Sequence, residues 1–503
     1  MIQKILLVGS EMRDTDDRAS ALAQENNTSN HGLIEDPGFT PEEPGYYHTS
    51  VVDLNEGQVL KIAKYFDSIV MLDQPQSEHS HWKVLLRIYK MFKILDERGF
   101  SVDYLNNENV KRPEYWYNLL RENPSFCFYP FLVLVPETNY THICPKSKAP
   151  ITIPKDIVDW ATDPKYNALR EPMVKGERLD RKYCGDCYDR EAIGIESNRQ
   201  FETLEWANRM EYDSIENFRV PDPVFYEIRP SNKCNLMCRM CDDVRSHLIE
   251  QERIEVGLPL TDWRFQDLSF DSIALETVQR VYIAGGEPTV MPEFYTFLQN
   301  CIDAERTDFE ICIGTNGMHV PKKMLDLLRP FADILLSISF DGYGKLNDYI
   351  RWNSNFDKIV ENSRILREEG HKISLQTVPS MYNVTRLHEI FEWYDEEYPN
   401  QSCLVQAAAG HGDVLEPFNH PRADLVVASM ERCMKTNIYT SAGRSIKTYV
   451  DSMYEMYSDP DYKYNPELLK GFFIFNDIMD RSRGSVLGDI CPELEECRSL
   501  LTF

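Results

Sequence analysis

From Phe225 onward, short apolar or alternating runs are separated by longer stretches with apolar residues three and four apart. The short runs predict strands at Phe225–Arg229, Arg280–Ala284, Phe309–Ile313, Ile334–Phe340, Ile373–Val378 and Cys403–Ala407. The stretches between them predict helices over 243–252, 292–303, 322–328, 357–369 and 386–397. Strand and helix alternating six times predicts a partial (β/α)6 barrel over residues 223–415, with chemistry at the strands' C-terminal ends. Residues 257–279 read as an insert in the first crossover.

The flanks read differently. Residues 1–122 predict a small α/β domain, with strands at Ile5–Val8 and Ser68–Leu72 and helices over 58–66 and 82–95. The Asn-, Asp-, Pro- and Gly-rich stretch 14–45 reads as a long loop or insert. No Gly-x-Gly-x-x-Gly follows Gly9, so a recognition module is the better reading than a nucleotide site. Residues 123–190 form a cysteine-rich module, 191–222 a polar linker, and 416–503 a helical region with helices over 422–436, 441–457 and 466–480.

Length changes the picture little: 503 residues suit two to four domains. A net charge of −27 disfavours nucleic acid and anionic membrane as partners. The first apolar run is too short for a signal peptide or a membrane span. Thirteen cysteines in metal-ligand spacings, not in a disulfide framework, indicate a reducing, cytoplasmic setting.

Cys234, Cys238 and Cys241 stand at C-x3-C-x2-C directly after the first barrel strand. Thiolates are soft ligands for iron–sulfur clusters or zinc, and three of them leave one metal position open for chemistry. A second group comprises Cys127 and Cys144, flanking an alternating run 128–135 and a turn, and the pair Cys184/Cys187. A hairpin brings the first two thiols together, and C-G-D-C reads as a metal knuckle in a turn. Spacing alone leaves zinc and a [4Fe–4S] cluster both open. Cys433, Cys491 and Cys497 are a conceivable third site, although Cys433 has the spacing of a core residue.

Polar residues gather where the barrel strands end. Strand two closes on Gly285-Gly286-Glu287-Pro288 and strand three on Thr315-Asn316-Gly317. Period-two alternation puts Ser337, Ser339 and Asp341 on the inner face of strand four, with Leu336, Ile338 and Phe340 outward. The same alternation turns Ser374, Gln376 and Gln406 inward. Arg351, ten residues past Asp341, is placed to clamp a carboxylate. His411 and Asp413 are candidate substrate-side groups.

Together these residues resemble the radical S-adenosylmethionine (SAM) superfamily over about residues 223–410. The resemblance implies that Cys234, Cys238 and Cys241 bind three irons of a [4Fe–4S] cluster whose fourth iron takes S-adenosyl-L-methionine. It implies that Gly285, Gly286 and Glu287 meet the SAM amino group, Ser339 and Asp341 the ribose, and Arg351 the carboxylate. Met240 stands where many members carry an aromatic. The phrase Phe126-Cys127-Phe128-Tyr129-Pro130-Phe131, with Cys184 and Cys187, resembles the twitch, or half-SPASM, module. That likeness implies an auxiliary [4Fe–4S] cluster on Cys127, Cys144, Cys184 and Cys187, although the module here precedes the barrel and lacks a usual hairpin glycine. The implied activity is reductive SAM cleavage and hydrogen abstraction by a 5′-deoxyadenosyl radical from a peptide or protein substrate, with an electron donor as partner. The alternative from another class is a non-catalytic iron–sulfur or zinc scaffold that binds a partner.

Overall fold

The structure, a computed structural model, describes residues 223–261, 270–399, 402–405, 414–441 and 444–501, most of 123–207, and five strands within the first 122. Those five are β1 Lys4–Gly9, β2 His31–Leu33, β3 Gly45–Ser50, β4 Ser68–Leu72 and β5 Val102–Leu105. They form one parallel sheet in the order β2-β3-β1-β4-β5. Strands β1 and β4 fall where the apolar runs predict them. The stretch expected to be loop holds β2 and the first residue of β3, which are short and polar and carry no apolar run to betray them. The helices expected over 58–66 and 82–95 lie outside the described residues.

A second sheet has nine strands. From the cysteine-rich module come β6 Val133–Glu137, β7 Tyr140–His142 and β8 Ile151–Thr152. The barrel supplies β9 Phe225–Ile228, then, past a two-residue strand β10 Met237–Cys238, β11 Arg280–Ile283, β12 Glu310–Thr315 and β13 Asp333–Ser339. After β14 Arg351–Trp352, it finishes with β15 Lys372–Thr377 and β16 Ser402–Val405. The order is β16-β15-β13-β12-β11-β9-β6-β7-β8. The six strands from β9 to β16 in this order are parallel, joined by helices such as Pro292–Asp303, Lys322–Leu328, Phe356–Glu368 and Leu387–Glu397. This is the α/β partial (β/α)6 barrel that the alternating pattern predicts.

The strands' outward residues Val281, Ile283, Ile311, Ile313, Leu336, Ile338 and Leu375 share one buried core with Phe294, Leu298, Ile359, Leu366, Ile390 and Phe391 of the helices. Each such side chain contributes about 1.5–3 kcal/mol on burial, which fixes which face of every strand turns inward. The inner face is therefore polar. Tyr282 lies between Glu227 and Cys312 in register, Ser337 between Gly314 and Ser374, and Ser339 beside Gln376. Ser337 Oγ donates to Gln376 Oε1 at 3.2 Å. At the strands' N-terminal end Arg280 pairs with Glu310 at 2.8 Å, and Trp206 stacks on Phe225.

Two joints differ from expectation. β6 pairs in parallel with β9, Val133 beside Phe225, so the cysteine-rich module extends the barrel sheet past its first strand. The stretch read as a linker carries the helix Asn198–Ala207, whose Arg199, Thr203 and Trp206 are buried against both parts. Its composition is polar, but its burial depends on four positions of one face, Glu202 being the fourth.

C-terminal helices Ala423–Cys433, Arg444–Ser458 and Pro466–Arg483 fall close to the expected ranges. The conceivable third metal site is not formed, and Cys433 is the core residue its spacing indicates. Cys433 packs in the barrel core, whereas Cys491 and Cys497 belong to a separate core with Phe472 and Leu494. The Cys491 and Cys497 thiols turn to the carbonyls of Tyr382 and Glu493.

Candidate metal centre at the mouth of the barrel

The loop after β9 is fixed at each of its three cysteines. The Cys234 N–H donates to Nδ1 of His247 at 3.1 Å, and the Leu236 N–H reaches back to the Cys234 sulfur at 3.4 Å. Cys238 lies in β10, which pairs antiparallel with β14 and sets Cys238 opposite Arg351. The Cys241 N–H closes a turn on the Cys238 carbonyl at 3.0 Å. Burial pushes the Cys234 thiol up to about 12, with Cys238 adding to the effect. Burial likewise raises Cys241, with Cys238, Asp242 and Cys234 adding, and it raises Cys238 despite the opposing Arg351 charge. Three thiols that resist ionisation in a dry loop become thiolates when a cationic group takes them, so the donor set fits an iron–sulfur group.

Strand two closes on this loop through its glycines. Gly285 has φ of +119°, and a Cβ on Gly286 would stand 2.1 Å from the Lys233 carbonyl oxygen. Gly286 N–H and Glu287 N–H donate to the Ser231 and Lys233 carbonyls at 2.9 and 2.7 Å. The glycines thus let β11 continue beside the chain that leads into Cys234. Glu287 is buried, and its carboxylate accepts from Thr289 N–H, Thr289 Oγ1, Thr315 Oγ1 and Asn316 N–H. The two from Thr289 close the turn after strand two, and the two from Thr315 and Asn316 tie it to strand three. Asn316 in turn donates from Nδ2 to Asn235 Oδ1 at 2.7 Å, inside the cysteine loop.

Asp341 is buried, with Oδ2 accepting from Arg351 Nη1 at 2.6 Å and Oδ1 from the Val378 N–H at 2.7 Å. Its carboxylate is therefore committed to holding Arg351 and strand five. Among the described residues the Arg351 Nε is buried without a partner, which leaves a donor beside the thiols. Desolvation lowers the Arg351 pKa, but the neighbouring sulfurs and the Asp341 carboxylate bonded to it more than offset this, and the net shift is upward. Ser339 is half-buried on the inner face, beside Gln376. His411, Asp413 and Gln406 lie outside the described residues.

The second thiol group also assembles. Cys127, Cys144, Cys184 and Cys187 line one narrow cavity of about 20 Å³, together with Tyr129 and Arg199. β6 and β7 form the expected hairpin between Cys127 and Cys144. The run 128–135 is not one strand, however, because Tyr129–Leu132 forms a helical turn with Pro130 in its first positions. Cys184 and Cys187 do not sit in a turn either. They lie in the helix Arg181–Ala192, where a spacing of three puts both thiols on one face. Buried Arg199 anchors this region by donating to the Phe126 carbonyl and to both Glu191 oxygens. Burial lifts Cys184 to about 12 and raises Cys127 and Cys187. Among the described residues no three His, Cys, Asp or Glu side chains converge on one metal ion. The thiolates of a cubane each take a separate iron, and that spacing is a different one.

Sequence reasoning missed several residues that build the loop. His247, Asn235 and above all Arg239 hold the backbone between the cysteines. The buried ion pair Glu252–Arg483, at 2.7 Å, ties the next helix to the C-terminal one. A charged residue inside C-R-M-C was the one visible sign.

The barrel and its mouth define a class in which three thiolates follow strand one and a Gly-Gly-Glu-Pro turn follows strand two. Residues 228–393 match the sequence model of the radical SAM superfamily, and the chain carries a domain of that superfamily there. Similar proteins include Fe-coproporphyrin III synthase of Methanosarcina barkeri, 26% identical over 38% of this chain and 46% of that one. The mycofactocin maturase MftC of Mycobacterium tuberculosis is 26% identical over 38% of this chain and 46% of its own. The matched stretch thus spans about half the length of these relatives. Among solved structures, SAM-bound SuiB of Streptococcus suis overlaps 45% of this chain and 50% of its own, at 19% identity and a TM-score of 0.31.

Proposed function

We propose that this chain is a radical SAM enzyme with two iron–sulfur sites that abstracts hydrogen from a peptide or protein substrate. The observation that carries the reading is Arg351: opposite Cys238, fixed by Asp341, with a buried donor left for an anionic group at the thiols. Cys234, Cys238 and Cys241 would hold a [4Fe–4S] cluster, and S-adenosyl-L-methionine would bind above it. When bound, the pair supplies a one-electron reductant and a source of a carbon radical. The protein's own part is positional. Gly285 and Gly286 bring the end of strand two against the cysteine loop, and Arg351 orients a carboxylate. Ser337, Ser339, Ser374 and Gln376 offer a polar lumen to a substrate.

Cys127, Cys144, Cys184 and Cys187 would hold an auxiliary cluster. Cys127 precedes β6 and Cys234 follows β9, and these strands run parallel, so the two sites leave opposite ends of one strand pair. The four residues of β9 alone rise about 13 Å. That separation suits an electron relay better than a second ligand to the reacting group. The peptide class of substrate rests on the likeness to the twitch module, which is analogy. One relative is named a maturase and another a coproporphyrin synthase, so their names do not agree on a substrate. An electron donor is the other partner. Among the described residues no helix is long and apolar enough to cross a membrane.

Anaerobic reconstitution tests the reading. Two clusters give on the order of eight irons per chain, and one cluster with zinc gives about four. With a strong reductant and SAM, the protein should release 5′-deoxyadenosine. Cys234→Ala should stop that release and keep the auxiliary irons. Fully loaded protein that releases none would point to the partner-binding scaffold instead.

A further inference from the structure

Arg239 stands between two cysteines of the loop, and its side chain is 0% exposed. Every nitrogen of its guanidinium is engaged by the C-terminal part of the chain or by the helix that precedes β14. Nε donates to the Tyr349 carbonyl at 2.9 Å and Nη1 to Asn476 Oδ1 at 3.1 Å. Nη2 donates to Asp480 Oδ1 at 2.6 Å and to Ser485 Oγ at 2.9 Å. The guanidinium carbon lies 3.7 Å from the Tyr349 ring centroid. Asp480 also accepts from Ser485 Oγ and Asn476 Nδ2, at 2.7 and 3.1 Å, and Asn476 accepts from the Tyr382 hydroxyl at 3.1 Å. A buried arginine this fully matched, more than two hundred residues from its acid partner, makes residues 476–485 a wall of the cysteine loop.

We propose that Asp480 is a positioning residue of the metal centre: it seats Arg239 behind the Cys238–Cys241 turn and cancels its charge, and so helps to set the reduction potential of the cluster. This rests on the reading of the loop as a cluster site. The sign follows from elementary electrostatics. Reduction adds negative charge at the thiolates, so an uncompensated cation fixed close by favours the reduced form. Water is excluded from Arg239, so the Asp480 charge is what offsets it rather than solvent.

The test follows the midpoint potential of the electron paramagnetic resonance signal that changes on adding SAM, with iron content measured alongside. Asp480→Asn keeps the shape and removes the charge. It should retain its iron and move the midpoint to a more positive potential. The double variant R239Q/D480N, again neutral, should return towards the parent value. If Asp480→Asn loses iron and the double variant regains it, charge balance is again what seats the loop, and the proposal stands. An unmoved midpoint in fully loaded Asp480→Asn would overturn it, as would loss of iron in both variants. Failure of the unmodified protein to give any SAM-responsive signal would instead sink the reading of the loop.

Discussion

Arg351 Nη1 lies 2.6 Å from Asp341 Oδ2, and the same arginine stands opposite Cys238 in a two-stranded ribbon. The pair therefore links the end of strand four to the cysteine loop. Both side chains are well buried, and removing one partner of such a pair costs about 3–5 kcal/mol. Asp341→Ala should lose stability on that order in urea unfolding. Asp341→Asn keeps an acceptor for the Val378 N–H but leaves Arg351 less firmly aimed. In reconstituted protein we expect roughly tenfold weaker SAM binding by equilibrium dialysis, which corresponds to about 1.4 kcal/mol. Unchanged affinity would remove this pair from the binding site.

Two glycines make opposite predictions. At Gly286 a Cβ would meet the Lys233 carbonyl oxygen at 2.1 Å and its carbon at 2.6 Å, and backbone on both sides cannot yield cheaply. Gly286→Ala should cost about 3 kcal/mol and reduce iron retention, because the cysteine loop must move. At Gly185, between Cys184 and Cys187, a Cβ would meet only Arg181 Cβ at 3.4 Å. That site is helical, so Gly185→Ala should raise stability by about 0.5–1 kcal/mol with auxiliary iron unchanged. Destabilisation there would restore the turn that C-G-D-C suggests.

The barrel was legible because burial imposes a period of two on strands and about 3.6 on helices, and residues 280–397 keep both periods clearly. The helices Pro292–Asp303 and Lys322–Leu328 end where their apolar spacing ends. The cysteines were legible because metal ligation needs particular atoms at short spacing. What stayed hidden was long-range. Nothing local marks β6 as the neighbour of β9, or Asp480 as the partner of Arg239, because neither pairing leaves a periodic trace. Residues Cys184 and Cys187 misled because glycine between cysteines suits a turn, yet a helix face gathers thiols three apart equally well.

Glu287 separates a binding role from a structural one. Its carboxylate accepts four bonds, including one from the Asn316 N–H at 2.6 Å. An amide in its place offers one acceptor oxygen and so strands at least one buried donor, at about 1–3 kcal/mol. Glu287→Gln should therefore lower the melting temperature and loosen iron retention through Asn316 and Asn235. Weaker SAM binding at an unchanged melting temperature would show instead that the carboxylate acts on the ligand directly.

Stability should also depend on one histidine outside the site. His420 is fully buried: its backbone N–H donates to the Tyr457 hydroxyl at 2.8 Å, and Nδ1 accepts from the Arg422 N–H at 3.1 Å. Burial, with the Arg422 charge second, holds its pKa down at about 3, against about 6.5 when unfolded. Between those values the unfolded chain binds a proton that the folded chain refuses, so stability rises with pH across that window. Its share is fully present above pH 6.5 and is lost progressively as the pH falls. From pH 7.5 to 5.5 the loss amounts to about 1.4 kcal/mol. Urea unfolding at the two pH values should show that difference, and His420→Gln, which cannot titrate, should show a smaller one. An equal pH dependence in the variant would assign the effect to other groups.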